Sequence, residues 1–267
     1  MRVKSLKDLT RPRPREIPLA SLPEEVRITE YARAKAFAVG ELVRRVHGDA
    51  LEWYGFTLGE RARPELIVDV GLPVQGENLE NYVSLTPEGI ARFQETLPAA
   101  RLVNGWLHSH GALEFRQFSG IDEANQATVL DYVTSLLMFP VAKKEVVIRD
   151  LALVAVGDRE PAAEDLAPGS VTLVTEVPVG RVRIFETITG GFCHAIVIGD
   201  DGWTRQEIHY KTRGVLTGET RVSKREADLI VVDTGRLLTA SELEALEAQV
   251  RDHLRPVAYI PEKLERA

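Results

Sequence analysis

Apolar positions Ile28, Ala32, Ala36, Val39, Val43 and Val46 recur near helical spacing, and they predict a core-facing helix with Thr29 as N-cap and Gly48 ending it. The pattern then changes. "ALEWYGFTLGE" from Ala50 is aromatic and β-branched and reads as a strand, with "PELIVDVGLPV" as its neighbour. Thr86-Pro87-Glu88 opens a short helix to about Leu97, "RLVNGWLHSHG" is a further strand, and "SGIDEANQATVLDYVTSLL" is a helix with Ile121, Ala124, Val129, Val133, Leu136 and Leu137 inward. Two apolar runs, "EVVIRD" and "LALVAVGD", complete a first unit.

Residues 159–169, "REPAAEDLAPG", are turn-rich and acidic and mark a boundary or long connection. Beyond it come the short runs "SVTLVTEV", "RVRIFETI", "FCHAIVIGD", "WTRQEIHYKTR" and "ADLIVVDTG", then a helix opened by the capping box Thr239-x-x-Glu242. The expected organisation is a basic, proline-rich arm over 1–24, an α/β unit over 25–160 and a β-rich region ending in a helix over 170–267.

Composition narrows the function classes. The chain has 267 residues, 44% hydrophobic and 27% charged, as in a soluble globular protein. A net charge of −7 argues against a broad nucleic-acid-binding face, and the basic arm reads as a solvated tail. The single cysteine, Cys193, excludes an internal disulfide and a multi-cysteine zinc cage, and it fits a reducing cytoplasm. No apolar run approaches the roughly 18 to 20 residues of a membrane span, and no signal-peptide core follows the basic start.

The candidate chemistry lies in "HSHGALEFRQFSGID", residues 108–122. On a strand, His108 and His110 project to one side, their Cα atoms roughly 6.5 to 7 Å apart, while Ser109 faces the other. Asp122 at the next helix start is placed to supply a third ligand, and two His with one carboxylate leave the fourth position of a catalytic zinc to water. A second reading stands beside this one: Ser119-x-x-Asp122 is also a capping-box pattern. Hydrolysis further needs a base for the water that a metal acidifies. Glu52, a charge at the start of an apolar strand, is the candidate, and Glu114 is a poorer one on a loop.

Taken together, Glu52 in "EWYGFTLG", then "GWLHSHG" and "SGID", resemble the JAMM (MPN+) metalloprotease signature over roughly residues 25–158. The resemblance implies an MPN-type mixed sheet flanked by helices, in cytidine-deaminase-like layers, with a C-terminal β-rich extension. It implies a zinc isopeptidase or peptidase acting on ubiquitin or ubiquitin-like conjugates or precursors. His108, His110 and Asp122 would bind one Zn2+, Glu52 would be general acid/base, and Ser119 would hydrogen-bond the oxyanion. The "GALEFRQF" loop is one residue longer than the family's usual spacing, and Gly111 replaces its usual proline. The alternative is a non-catalytic or weakly catalytic MPN-type scaffold or binding module.

Other constellations carry less. Cys193 and His194 point to opposite faces of a strand and form no nucleophile–base pair. "GVLTGETR" lacks the spacing and lysine of a P-loop and reads as a turn, and one cysteine cannot furnish a zinc deaminase site. His47, His209 and His253 are expected to be exposed.

Overall fold

The computed structural model describes residues 16–75, 85–111, 115–147, 151–155, 171–175 and 183–255. In chain order the first elements are β1 (Val26–Thr29), α1 (Glu30–His47), β2 (Tyr54–Glu60), β3 (Leu66–Ile67), β4 (Asp69–Gly71) and α2 (Pro87–Glu95). Then follow β5 (Arg101–Ser109), α3 (Gly120–Leu136), β6 (Phe139–Val146), β7 (Leu151–Ala155) and β8 (Val171–Thr175). The last are β9 (Ile184–Ile198), β10 (Thr204–Gly214), β11 (Thr220–Glu226), β12 (Leu229–Val232) and α4 (Ala240–His253).

The helix ends form as the side chains dictate. Thr29 accepts the Ala32 amide at the start of α1, and Gly48, at φ 74°, closes it in the left-handed region that glycine enters without strain. Thr86 and Thr239 cap α2 and α4 in the same way, the latter within a complete capping box.

A mixed sheet runs in the order β11-β10-β9-β5-β2-β4, with β6 pairing β9 beyond this path. Helices flank both faces. On one, Ala36, Val39 and Val43 of α1 and Leu246 and Val250 of α4 bury against Trp53, Leu107, Ile196 and Ile198. On the other, Ile90 of α2 and Val129, Leu130 and Val133 of α3 pack on Tyr54, Phe56, Val103 and Trp106. Each fully buried Val, Leu, Ile or Phe side chain among them contributes about 1.5–3 kcal/mol. No helix among the described residues is long and apolar enough to cross a membrane.

The expected separate C-terminal unit does not match the strand pairing. β9 runs parallel to β5 over Gly105–Ser109, β12 pairs with β1, and α4 lies beside α1, so residues from both expected units share the same sheets and core. The acidic stretch 159–169 lies outside the described residues, as does most of the basic arm. A turn-rich composition marks a connection, but it carries no information on whether the chain returns to the same sheet.

The runs expected over 181–188 and 192–200 are not two strands: β9 (Ile184–Ile198) joins them. Gly190 and Gly191 continue β9 without a break, because a Cβ at Gly191 would come within 2.5 Å of the Leu137 carbonyl oxygen at the end of α3. β11 escapes the sequence pattern: it is exposed along its whole length and exists through its ladder with β10.

Candidate metal centre

β5 delivers the two histidines to the α3 face of the sheet. His108 and His110 are each 3% exposed, while Ser109 turns to the α1 side, near Phe37, Gly40 and Arg44. The two Nε2 atoms lie 3.1 Å apart. Asp122, on the first turn of α3, places Oδ1 3.2 Å from His108 Nε2 and Oδ2 3.5 Å from His110 Nε2. Donors about 2.0–2.1 Å from a tetrahedral ion stand about 3.3–3.4 Å from one another, and the three separations, the two to Asp122 running to different carboxylate oxygens, lie near that value. The buried His108–His110–Asp122 cluster can hold a metal ion.

Second contacts support that fit for His110. Its Nδ1 donates to the Phe115 carbonyl oxygen at 2.6 Å, which leaves Nε2 with the lone pair a metal needs. His108 is held differently, its ring stacked 4.2 Å from that of Trp106 at an interplanar angle of 15°. Burial pulls the pKa of His108 down and keeps the imidazole neutral, as a ligand must be. Burial also opposes charging of His110, but Asp122, the Phe115 carbonyl and Glu52 outweigh it and raise its pKa. Burial opposes ionisation of Asp122, but the two facing imidazoles and the hydrogen bond from the Ser119 amide outweigh it and hold the carboxyl well below the usual range.

The capping reading of Ser119-x-x-Asp122 holds, and it is compatible with the metal reading. Ser119 Oγ accepts the Asp122 amide at 3.2 Å, and the Ser119 amide donates to Asp122 Oδ2 at 2.6 Å. The capping box therefore orients the carboxylate towards the histidines instead of competing for it. Ser119→Ala is expected to cost about 1 kcal/mol in urea unfolding, through loss of the cap, with metal still bound.

Glu52 precedes β2 and reaches the site through the strand register. Tyr54 pairs with His108, and the Ser109 amide donates to the Trp53 carbonyl, so the same register places Glu52 opposite His110 and on its face. Burial pushes the Glu52 carboxyl up to about 7; the charge of His110 opposes this shift and that of Asp122 adds to it. A carboxyl poised near neutrality next to a cluster of metal-ligand type is able to exchange protons with a water there.

Gly111 accounts for the missing proline. Its φ of 53° is closed to proline, and a Cβ there would stand 2.4 Å from the Ala50 carbonyl oxygen. The chain thus leaves β5 in close contact with the segment that carries Glu52. Glu114 and its neighbours 112 and 113 lie outside the described residues.

The remaining histidines are not the exposed residues expected. His209 is 6% exposed and bonds Glu207 Oε2 at 3.0 Å, His253 Nδ1 lies 2.8 Å from the Leu72 carbonyl oxygen, and His47 is half-buried against Val250. Cys193 and His194 do face opposite ways: Cys193 joins the α3 core and accepts from Gln126 Nε2, whereas His194 packs beside Phe192 and Gly105. Sequence reasoning missed Trp106, although its position two before His108 on a strand was a signal for a shared face. It also missed the Phe115 carbonyl, a backbone contact that no residue type announces. No family model and no curated protein matches the chain.

Proposed function

We propose that this protein is a zinc-dependent peptidase of the JAMM type, acting on ubiquitin or ubiquitin-like conjugates or precursors. The observation that carries the reading is the convergence of His108, His110 and Asp122 with Glu52 set across the strand pair from them. The donor set, two imidazoles and one carboxylate, suits zinc with an open position. The mixed sheet with helices on both faces is consistent with the MPN layering that the motif suggests. On this reading the substrate is a macromolecular chain end, the compartment is the cytoplasm, and no membrane or nucleic-acid partner is required.

In this proposal His108, His110 and Asp122 would hold the ion, which would supply Lewis acidity for activating a water. Glu52 takes the proton from that water and returns it to the leaving amine, a double duty that suits a carboxyl near pH 7. Ser119 Oγ uses a lone pair in the cap, so its hydroxyl hydrogen is available to the developing oxyanion, a contact worth roughly two to three orders of magnitude in rate.

The test is zinc stoichiometry together with cleavage of a ubiquitin-like fusion by the full chain. Wild type is expected to carry one Zn2+ and to cleave, and His108→Ala to lose both. Zinc binding without cleavage would favour a scaffold that keeps the metal for stability. Equal zinc content in wild type and His108→Ala would remove the site.

A further inference from the structure

The turn that joins β9 to β10 lies against the metal centre although the sequence puts it nearly a hundred residues away. Gly199 and Trp203 close this turn, the Gly199 amide donating to the Trp203 carbonyl at 3.1 Å, and Gly202 takes φ 86°. The indole lies on the bare backbone of Gly199, where a Cβ would fall 2.0 Å from its Nε1. The turn is tied to the body of the protein by Asp200 with Arg44 of α1 at 3.2 Å, and to the end of β5 by the His110 amide donating to the Ile198 carbonyl.

From this base two contacts reach the ligand loop. Trp203 presents its ring to His110 in an edge arrangement with centroids 6.1 Å apart. Arg116 lays its guanidinium 5.5 Å over the Trp203 ring and bonds Asp201 Oδ2 at 2.8 Å. Arg116 directly follows Phe115, whose carbonyl fixes the His110 tautomer and whose ring stacks on that of His110 at 5.7 Å. The Arg116–Asp201 pair is well exposed on both sides and contributes little alone, so the half-buried Trp203 is the principal support.

We propose that Trp203 is a positioning residue of the metal centre: it holds His110 by its edge, and through Arg116 it holds the Phe115 carbonyl that orients the imidazole. The proposal rests on the reading that His108, His110 and Asp122 bind a metal. Losing the hydrogen-bond partner of a ligating imidazole commonly changes metal affinity by about 10–100-fold, and the Phe115 carbonyl that Trp203 helps to hold is such a partner.

The experiment is a Zn2+ competition titration against a chromophoric chelator, on the full chain, with urea unfolding in parallel. Trp203→Ala is expected to weaken zinc binding at least about tenfold, and Trp203→Phe, which keeps an aromatic face, to recover most of it. Arg116→Ala removes a well-exposed side chain, so the fold is expected to survive. It is expected to weaken zinc about threefold with an unchanged urea midpoint. Wild-type zinc affinity in Arg116→Ala and in folded Trp203→Ala would overturn the proposal. His108→Ala serves as the control: if it also binds zinc as wild type does, the ligand set itself is wrong, an outcome distinct from failure of the Trp203 support alone.

Discussion

Glu52→Gln is expected to retain its zinc and to lose cleavage by about 10²–10⁴-fold, the range typical of a positioned general base. Glutamine matches the shape of the glutamate but cannot accept and return a proton at neutral pH. Metal retention follows from geometry, since His108, His110 and Asp122 form the candidate ligand cluster without Glu52. The pH dependence has a definite sign: the base is competent when deprotonated, so activity falls as pH drops through the Glu52 pKa. Burial sets that value at about 7 in the metal-free chain, and a bound dication draws it lower. Single-turnover cleavage of the fusion with zinc content measured on the same samples decides the matter. Equal rates in wild type and Glu52→Gln would sink the assignment of the base.

Acidification of the metal-free protein is expected to destabilise it, with His194 among the causes. This side chain is fully buried, and neither ring nitrogen makes a well-formed hydrogen bond. Burial therefore lowers its pKa to about 4, the nearby Glu65 backbone offsetting only part of the effect. In the unfolded chain the imidazole titrates near 6.5. As pH falls from about 6.5 the unfolded state takes up a proton that the folded state refuses, so stability declines until about pH 4 and then levels. Linkage puts the contribution of His194 between pH 7 and pH 5 at about 2 kcal/mol. Burial also lowers the pKa values of His108 and His209, so the comparison must be made against His194→Leu rather than in absolute terms. Urea unfolding in the presence of a chelator should show the variant gaining about 2 kcal/mol on wild type between those two pH values. A constant difference would mean that His194 is protonated in the fold or hydrated within it.

The contrast between α1 and α3 shows what hydrophobic pattern conveys. In α1, Ala32, Ala36, Val39 and Val43 are buried as their spacing predicts, because the inner face of that helix packs in an apolar cluster. In α3 the predicted inward residues Ile121, Ala124 and Leu136 are exposed, and the inner face carries Asp122, Asn125 and Gln126 before Val129, Leu130 and Val133. Its first turns are polar inside because they serve specific bonds: Asp122 to the histidines, Asn125 Oδ1 accepting the Leu85 amide, and Gln126 Nε2 donating to Cys193 Sγ. A helix that builds a site thus has its apolar stripe displaced: periodicity places Val129 and Val133 inward as they are, and misplaces Ile121, Ala124 and Leu136.

What the sequence by itself determined is local. The alternation of a strand sets His108 and His110 on one side, Ser119 and Asp122 close a capping box, and Gly48 ends α1, each through backbone geometry within a few residues. Tertiary structure alone decided the rest. Strand register brought Glu52 opposite His110, parallel pairing placed β9 beside β5 and made the C-terminal residues part of the same sheet, and the turn after β9 carried Trp203 to the ligand loop. These contacts depend on which strands pair and how they align. That choice is made by burial across the whole sheet, so no window of the chain contains it.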